Sequence, residues 1–279
     1  MHNQETELRA LAALIPAIAP SFIDVGAEKG AFSRWLIGHG FTGIAIEPLV
    51  KHAESLKMLA AKGSLRFLNY GIDAEDGERD LHIATDEQGQ PLDYFHSLQP
   101  LYRDNRVHHT LRERIICRSL GSLVREGVLP QQIGLLKIDT EGNDLRVIEG
   151  LGTLRAQILM VEYFTAGLYD GWADAAPEKL IRAAHSAGYV HCLAIRHLAS
   201  GDEWISHQPL AFQKQEWGNL IFCQEKHFKI AEAALGSLTS DIEMTTLSNW
   251  QSLKQTCLER QALIERLHGE CAILRNRQQ

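Results

Sequence analysis

Short apolar runs that end in an acid or a polar residue alternate along this chain with longer stretches in which apolar side chains recur every three or four positions. The runs at 22–25, 43–46, 65–68, 135–138 and 158–161 have the length and composition of buried strands. Between the second and third, residues 49–60 place Leu49, Ala53, Leu56 and Leu59 on one helical face. Strands alternating with helices predict an α/β protein with a parallel sheet covered on both faces. In such sheets ligands bind beyond the carboxyl ends of the strands, so chemistry directly after a strand is already in the right place.

Two regions break this rhythm. Residues 86–112, DEQGQPLDYFHSLQPLYRDNRVHHTLR, are polar, aromatic and rich in histidine without periodicity, which predicts a long functional loop. From Lys226 onward there is no proline, and residues 250–274 fit a heptad with Trp250, Cys257, Ile264 and Cys271 at one core position and Leu253, Leu267 and Leu274 at the other. Arg260 interrupts that seam, so a coiled coil and a helix folded back on the domain are both open. The expected organisation is a leading helix over 1–19 packed on the core, a catalytic domain over 20–225 and a helical extension over 226–279. The last residues, LRNRQQ, carry no capping signal, as in a piece of a longer protein.

A formal net charge of −7 argues against nucleic-acid partners, whose phosphates call for clustered Lys and Arg. Five cysteines without CxxC spacing suggest neither a disulfide framework nor a zinc site, and point to a reducing, cytoplasmic setting. No apolar stretch has the roughly 18–20 residues that span a bilayer. The first twenty residues lack the basic region of a signal peptide.

The first strand leads into FIDVGAEKGAFS, residues 22–33. Gly26 and Gly30 let the backbone turn sharply and approach a ligand with no side chain between, and a helix follows. The dinucleotide fingerprint GxGxxG is not met: its middle glycine is replaced by Glu28, which would repel a diphosphate. The second strand ends in Glu47, about 20 residues after the turn, where a carboxylate can accept both hydroxyls of a ribose. Asp24, Gly26, Gly30 and Glu47 thus describe a nucleoside pocket without phosphate recognition, the kind S-adenosylmethionine needs.

FIDVGAEKGAFS, AIEP at 45–48, NYGIDAEDGERDL at 69–81, LLKIDTEGNDLRVIEGL at 135–151 and ILMVEYF at 158–164 resemble, in order and spacing, the FkbM-type S-adenosylmethionine-dependent O-methyltransferases. The most specific of these blocks is KIDTEGNDLRVIEG. The resemblance covers about residues 20–223 and implies a Rossmann-like, seven-stranded class I methyltransferase sheet whose last strand, near 219–223, runs antiparallel. It also implies that Asp24, Gly26, Ala27 and Gly30 lie beside the methionine half of the cofactor, Glu47 and Pro48 at the ribose, and Tyr70 and Gly71 near the adenine. One departure is Ser119-Leu120-Gly121, where the family usually has Thr-Leu-Asp; any substrate contact made by that acid is missing. Gly71, Asn143 and Asp144 are smaller departures.

Methyl transfer is an in-line displacement, so the protein must align an acceptor oxygen and accept its proton. Asp139, at the tip of the fourth strand, is the first candidate for base and lies close to the cofactor as well; Glu162 is the second, and His96 the third. Competing with this, Asp139 or Thr140 could simply cap the following helix, with Glu141 favourable near its start. Ser97, Tyr94 and Glu141 are the candidate substrate contacts. No metal is assigned, although carboxylates at 139, 141 and 162 are of the type magnesium takes. The expected enzyme methylates a hydroxyl of a small molecule or glycan, with a sugar inferred from the family and the aromatic loop. Two other readings stand beside it: a degenerate methyltransferase fold that serves as an assembly module, its C-terminal helix recruiting a glycan-building partner, and a nicotinamide-dependent oxidoreductase; residues 226–279 are also the expected contact for a homo-oligomer or partner protein.

Overall fold

The computed structural model describes residues 5–100, 107–168, 173–198, 203–207 and 212–228. In chain order the elements are α1 (Glu5–Leu14), β1 (Ser21–Val25), α2 (Ala31–Gly38), β2 (Thr42–Ile46), α3 (Val50–Ala60), β3 (Leu65–Leu68), β4 (Gly71–Ile72), β5 (Gly77–Thr85) and β6 (His108–Arg118). There follow α4 (Leu120–Arg125), β7 (Gln132–Ile138), α5 (Asp144–Glu149), β8 (Arg155–Phe164), α6 (Pro177–Ser186), β9 (His191–His197), β10 (Glu203–His207) and β11 (Trp217–Cys223). Most of the 226–279 extension, including the heptad at 250–274, lies outside the described residues. Among those residues no helix is long and apolar enough to cross a membrane.

The main sheet has the order β10-β9-β11-β8-β7-β1-β2-β3. Strands β3, β2, β1, β7 and β8 are parallel, and β11 runs antiparallel to both β8 and β9. Seven of these strands reproduce the class I methyltransferase order, and β10 adds an eighth at the edge. The chain winds outward from β1 in one direction and from β7 in the other, so right-handed crossovers put the two sets of helices on opposite faces. The gap between the tips of β1 and β7 is therefore the switch point at which ligands bind.

Strand alternation sorts the core. Ile23, Val25, Leu136, Ile138, Leu159 and Val161 pack in one buried cluster with Leu120 and Leu123 of α4, Val147 and Ile148 of α5, and Leu180 and Ile181 of α6. The intervening residues of β1 and β7 face the other way, and there Asp24 stands in register with Lys137. Strands β5 and β6 form an antiparallel hairpin, with β4 added parallel to β6. The region expected to be a loop over 86–112 is shorter than that, because His108–Arg118 continues the hairpin. Its first part folds back on β5 through bridges from Thr85 to Pro91 and from His82 to Ser97.

Beside β11, Glu216 is fully buried and accepts from Tyr163 Oη (2.5 Å), Arg196 Nε and Nη2 (both 2.6 Å) and the Gln213 amide (2.8 Å). Removing one partner of such a pair strands the other charge in a dry place. Arg196→Met is expected to destabilise the fold by about 3–5 kcal/mol, measured as a fall in the urea midpoint with unchanged slope.

Candidate active site

The site is built on two left-handed turns at adjacent strand tips. Gly26 has φ +76°, and a Cβ there would sit 1.8 Å from the carbonyl oxygen of Asp139, so this turn and the tip of β7 touch backbone to backbone. Gly30, at φ +78°, precedes α2 and packs on Leu56 of α3. The second turn, Asp139 to Gly142, has φ +55° at Glu141 and +97° at Gly142. Asp144 braces it, accepting from the Thr140 hydroxyl and the Gly142 amide (both 3.2 Å). Asn143 ties it to β4 by donating to the Ile72 carbonyl at 3.0 Å.

Around these turns lies a cleft of about 740 Å³, its open mouth included. Its walls include Gly26, Glu28, Glu47, Pro48, Tyr70, Gly71, Asp139 and Glu141, and the loop residues Tyr94, Phe95 and His96 close one side. Three of the four described non-glycine residues with positive φ, Glu28, Phe95 and Glu141, line it. Backbone strain of this kind, costing on the order of 1–3 kcal/mol per residue, collects at functional sites.

Glu47 is 5% exposed, and each of its oxygens holds one backbone amide: Oε2 that of Glu28 at 3.0 Å, Oε1 that of Leu49 at 2.9 Å. Each carboxylate oxygen has two lone pairs, so one per oxygen is left for a diol. Asn69 secures the same strand tip by donating to the Glu47 and Pro48 carbonyls, both at 2.8 Å. His52, 3.5 Å from Glu47, is 2% exposed, and both its ring nitrogens lack a hydrogen-bond partner. Such nitrogens in a cleft wall suit a ligand rich in polar edges.

Deeper in, Lys137 is 5% exposed, and its ammonium lies 2.9 Å from Asp139 and 3.6 Å from Asp24. Burial alone would discharge it, but Asp139 and Asp24 outweigh burial and raise its pKa, so it stays charged. Asp24 itself is fully buried, accepts from Ser33 Oγ at 2.7 Å and has a pKa raised by burial. Burial and then Asp139 push Glu141 and Glu162 well above the usual carboxylate range. The same two causes take Asp144 from 3.8 up to about 7.

The family model described as "Methyltransferase FkbM domain" matches residues 24–191, more than half of the chain. The chain belongs to the FkbM methyltransferase family. Its chemistry is accordingly S-adenosylmethionine-dependent methylation. No curated protein sequence matches it. Among solved structures it is similar to the FkbM methyltransferase of Methylobacillus flagellatus KT, at 13% identity and TM-score 0.39, covering 72% of this chain and 43% of that one. It is also similar to precorrin-6y C5,15-methyltransferase from Geobacter metallireducens GS-15, at 10% identity and TM-score 0.42 over 81% and 90% of the two chains. A third is magnesium protoporphyrin IX methyltransferase from Synechocystis PCC 6803 with bound SAM, at 9% identity and TM-score 0.43 over 80% of each.

In this FkbM domain the cleft gathers Gly26, Glu47, Pro48, Tyr70, Gly71, Tyr94, His96, Asp139 and Glu141 of the expected residues. Asp24, Ala27, Gly30, Ser97 and Glu162 are not in its wall. Asp24 is the buried partner of Lys137 and Ser33, one layer beneath the turn. Ser97 is fully buried and holds the loop, its Oγ accepting from the Gln99 amide. Glu162 stands behind Asp139 as a buried neighbour. Asp139 is not a helix cap, since its carboxylate is held by Lys137 and the turn is braced by Asp144.

His96 is corrected as a base. Its Nδ1 accepts from the Ala84 amide at 3.0 Å, and burial pushes its pKa down to about 3, so the neutral ring carries its proton on Nε2. It can donate but not accept there. The missing acid at 121 also has a reason: a Cβ on Gly121 already meets Gly152 Cα at 3.0 Å, and the residue lies outside the cleft wall. Among the described residues no group of three or more His, Cys, Asp or Glu is placed to hold a metal.

Sequence reasoning missed Lys137, His52 and Asp93. A lysine inside an apolar strand, two residues before an acid, is a readable signal. Asp93 carried none: it meets Lys29 (2.7 Å) and Lys51 (3.9 Å) only because the loop folds over the cleft.

Gly26→Ala is expected to abolish binding of S-adenosylhomocysteine by calorimetry, because the new Cβ and the Asp139 carbonyl cannot share that space. Asp144 sets a pH dependence. Between 3.8 and about 7 the folded protein keeps a proton that the unfolded chain has lost, so stability falls as pH rises through that window and levels off above it. Asp144→Asn is expected to make that slope shallower in melting curves taken across the window.

Proposed function

We propose that the enzyme transfers a methyl group to a hydroxyl, that of a sugar in a glycan or glycoconjugate. The observation that carries this is Asp139: a carboxylate anchored on one side by Lys137, with its side chain 22% exposed, in the wall of the cleft that also holds Glu47. Glu47 would hold the ribose through its free lone pairs, while Gly26 lets backbone approach the methionine end. Tyr70 and Gly71 would border the adenine. When bound there, S-adenosylmethionine supplies an electrophilic methyl on a positively charged sulfur.

The chain's own residues then do the rest. Asp139 orients the acceptor hydroxyl and takes its proton, kept in position by the Lys137 ammonium. The loop from Asp93 to His96 closes over the cleft and helps exclude water. Tyr94, 51% exposed at the cleft wall and edge-on to Phe95, offers an aromatic face for a sugar ring.

Asp139→Asn is expected to lower turnover by at least 100-fold with S-adenosylhomocysteine affinity within a few fold, as general-base loss does. Glu47→Ala is expected to weaken that affinity by roughly tenfold or more, about one lost pair of charge-assisted hydrogen bonds. Mass spectrometry of nucleotide sugars and glycan fragments incubated with labelled cofactor identifies the acceptor. Full activity in Asp139→Asn would remove that residue from the reaction, and label found on carbon would overturn O-methylation.

A further inference from the structure

The floor of the cleft holds more acid than base. Lys137 is bonded to Asp139 and lies beside Asp24; Glu141 belongs to the turn that Asp139 opens, Asp144 braces that turn through Thr140 and Gly142, and the pairing of Ile138 with Val161 brings Glu162 of β8 level with Asp139. Five carboxyl groups thus share one bonded ammonium. Of these, Asp24 has Ser33, and Asp144 has Thr140 and Gly142. Glu141 has a single long contact, the Phe95 amide at 3.4 Å, and Glu162 is 8% exposed with its buried Oε2 unpartnered. Carboxylates packed this closely in a dry place favour the neutral form of their least partnered members, and burial and then Asp139 push Glu141 and Glu162 well above the usual carboxylate range.

We propose that Glu141 and Glu162 retain a proton in the cofactor-free cleft and release it when a sulfonium cation binds beside Asp139. This rests on the reading that the cleft holds S-adenosylmethionine with its sulfur near the tip of β7. The binding of positive charge does here what a second lysine would do in a purely structural cluster. The ionised group is then ready for the transfer step. A lone pair of the acceptor hydroxyl forms the new O–C bond, the C–S electron pair stays on sulfur, and the hydroxyl proton passes to Asp139 and comes to rest on the Glu141–Glu162 pair. Positive charge on sulfur and negative charge on the carboxylates disappear together, so the cluster regains its resting proton in the same turnover.

The two forms of the cofactor isolate this effect, since S-adenosylmethionine and S-adenosylhomocysteine differ only in the methyl and the charge on sulfur. Calorimetry of the full chain with each, near pH 7 with a chelator and in buffers of different ionisation enthalpy, counts the protons released on binding. The methylated form is expected to release about one proton more than the demethylated form. Glu162→Gln is expected to bring that difference close to zero, with its melting temperature recorded as a check on folding. Equal proton counts for the two ligands on the wild-type protein would overturn the inference without touching the cofactor reading. Failure of both ligands to bind would instead remove the cofactor reading, and this inference with it.

Discussion

A lysine buried between two aspartates at the switch point of the sheet is the interaction on which the rest of the site is hung. Lys137 and Asp24 are in register on neighbouring strands and face the same side, so strand alternation alone brings them together. Two residues later Asp139 closes the set from the tip of β7. Burying an ammonium costs several kcal/mol unless its partners are well placed. Here one partner, Asp24, belongs to the strand that carries the glycine turn, and the other, Asp139, to the turn at the tip of β7. The charge that holds the Asp139 carboxylate in place is the same charge that fastens β1 to β7.

The two turns around it are tight for a related reason. Gly26 cannot be anything larger because the Asp139 carbonyl occupies the place of its side chain. Glu28 and Glu141 adopt left-handed backbone without that excuse, and in both the strain is met by contacts across the cleft: the Glu28 amide with Glu47, the Glu141 carboxylate with the Phe95 amide. The cleft is thus braced from its own walls. The loop over it is held in the same way, with Lys29 beside the glycine turn and Lys51 on α3 both reaching Asp93, and Lys51 also reaching the Leu92 carbonyl at 2.6 Å.

The runs that become β1, β2, β3, β7 and β8 were legible in the sequence because strand and helix periods differ and most of these runs lead directly into a polar residue. Leu49, just before α3, and Ala53, Leu56 and Leu59 on it are all buried, as their spacing requires. The acids at strand tips were legible for the same reason. Local pattern could not show depth. Asp24 and Asp139 both belong to apolar runs, yet one lies beneath the turn and the other in the cleft wall, a difference set by position along the strand: Asp24 is inside β1, whereas Asp139 is the first residue past the end of β7. His96 and Ser97 read as chemistry on a loop, but local pattern could not show that both also tie the loop to β5, His96 through the Ala84 amide and Ser97 through its bridge to His82. The eighth strand, Glu203–His207, went unread because a short run at a sheet edge needs only one neighbour.

The helix at the beginning of the described chain carries an unusual anchor. Glu7 of α1 is 1% exposed, and its Oε1 lies 2.6 Å from His197 Nε2 of β9 and 3.2 Å from Asn219 Nδ2 of β11, contacts that span 190 and 212 residues. A ribosome delivers α1 well before its docking surface, which does not exist until the last strand of the sheet has emerged and paired. Contacts that close such long loops form late and slowly. During synthesis the apolar side of this helix, Ala10, Leu11 and Leu14, must therefore wait in water, or on a chaperone, for nearly the whole domain to be made.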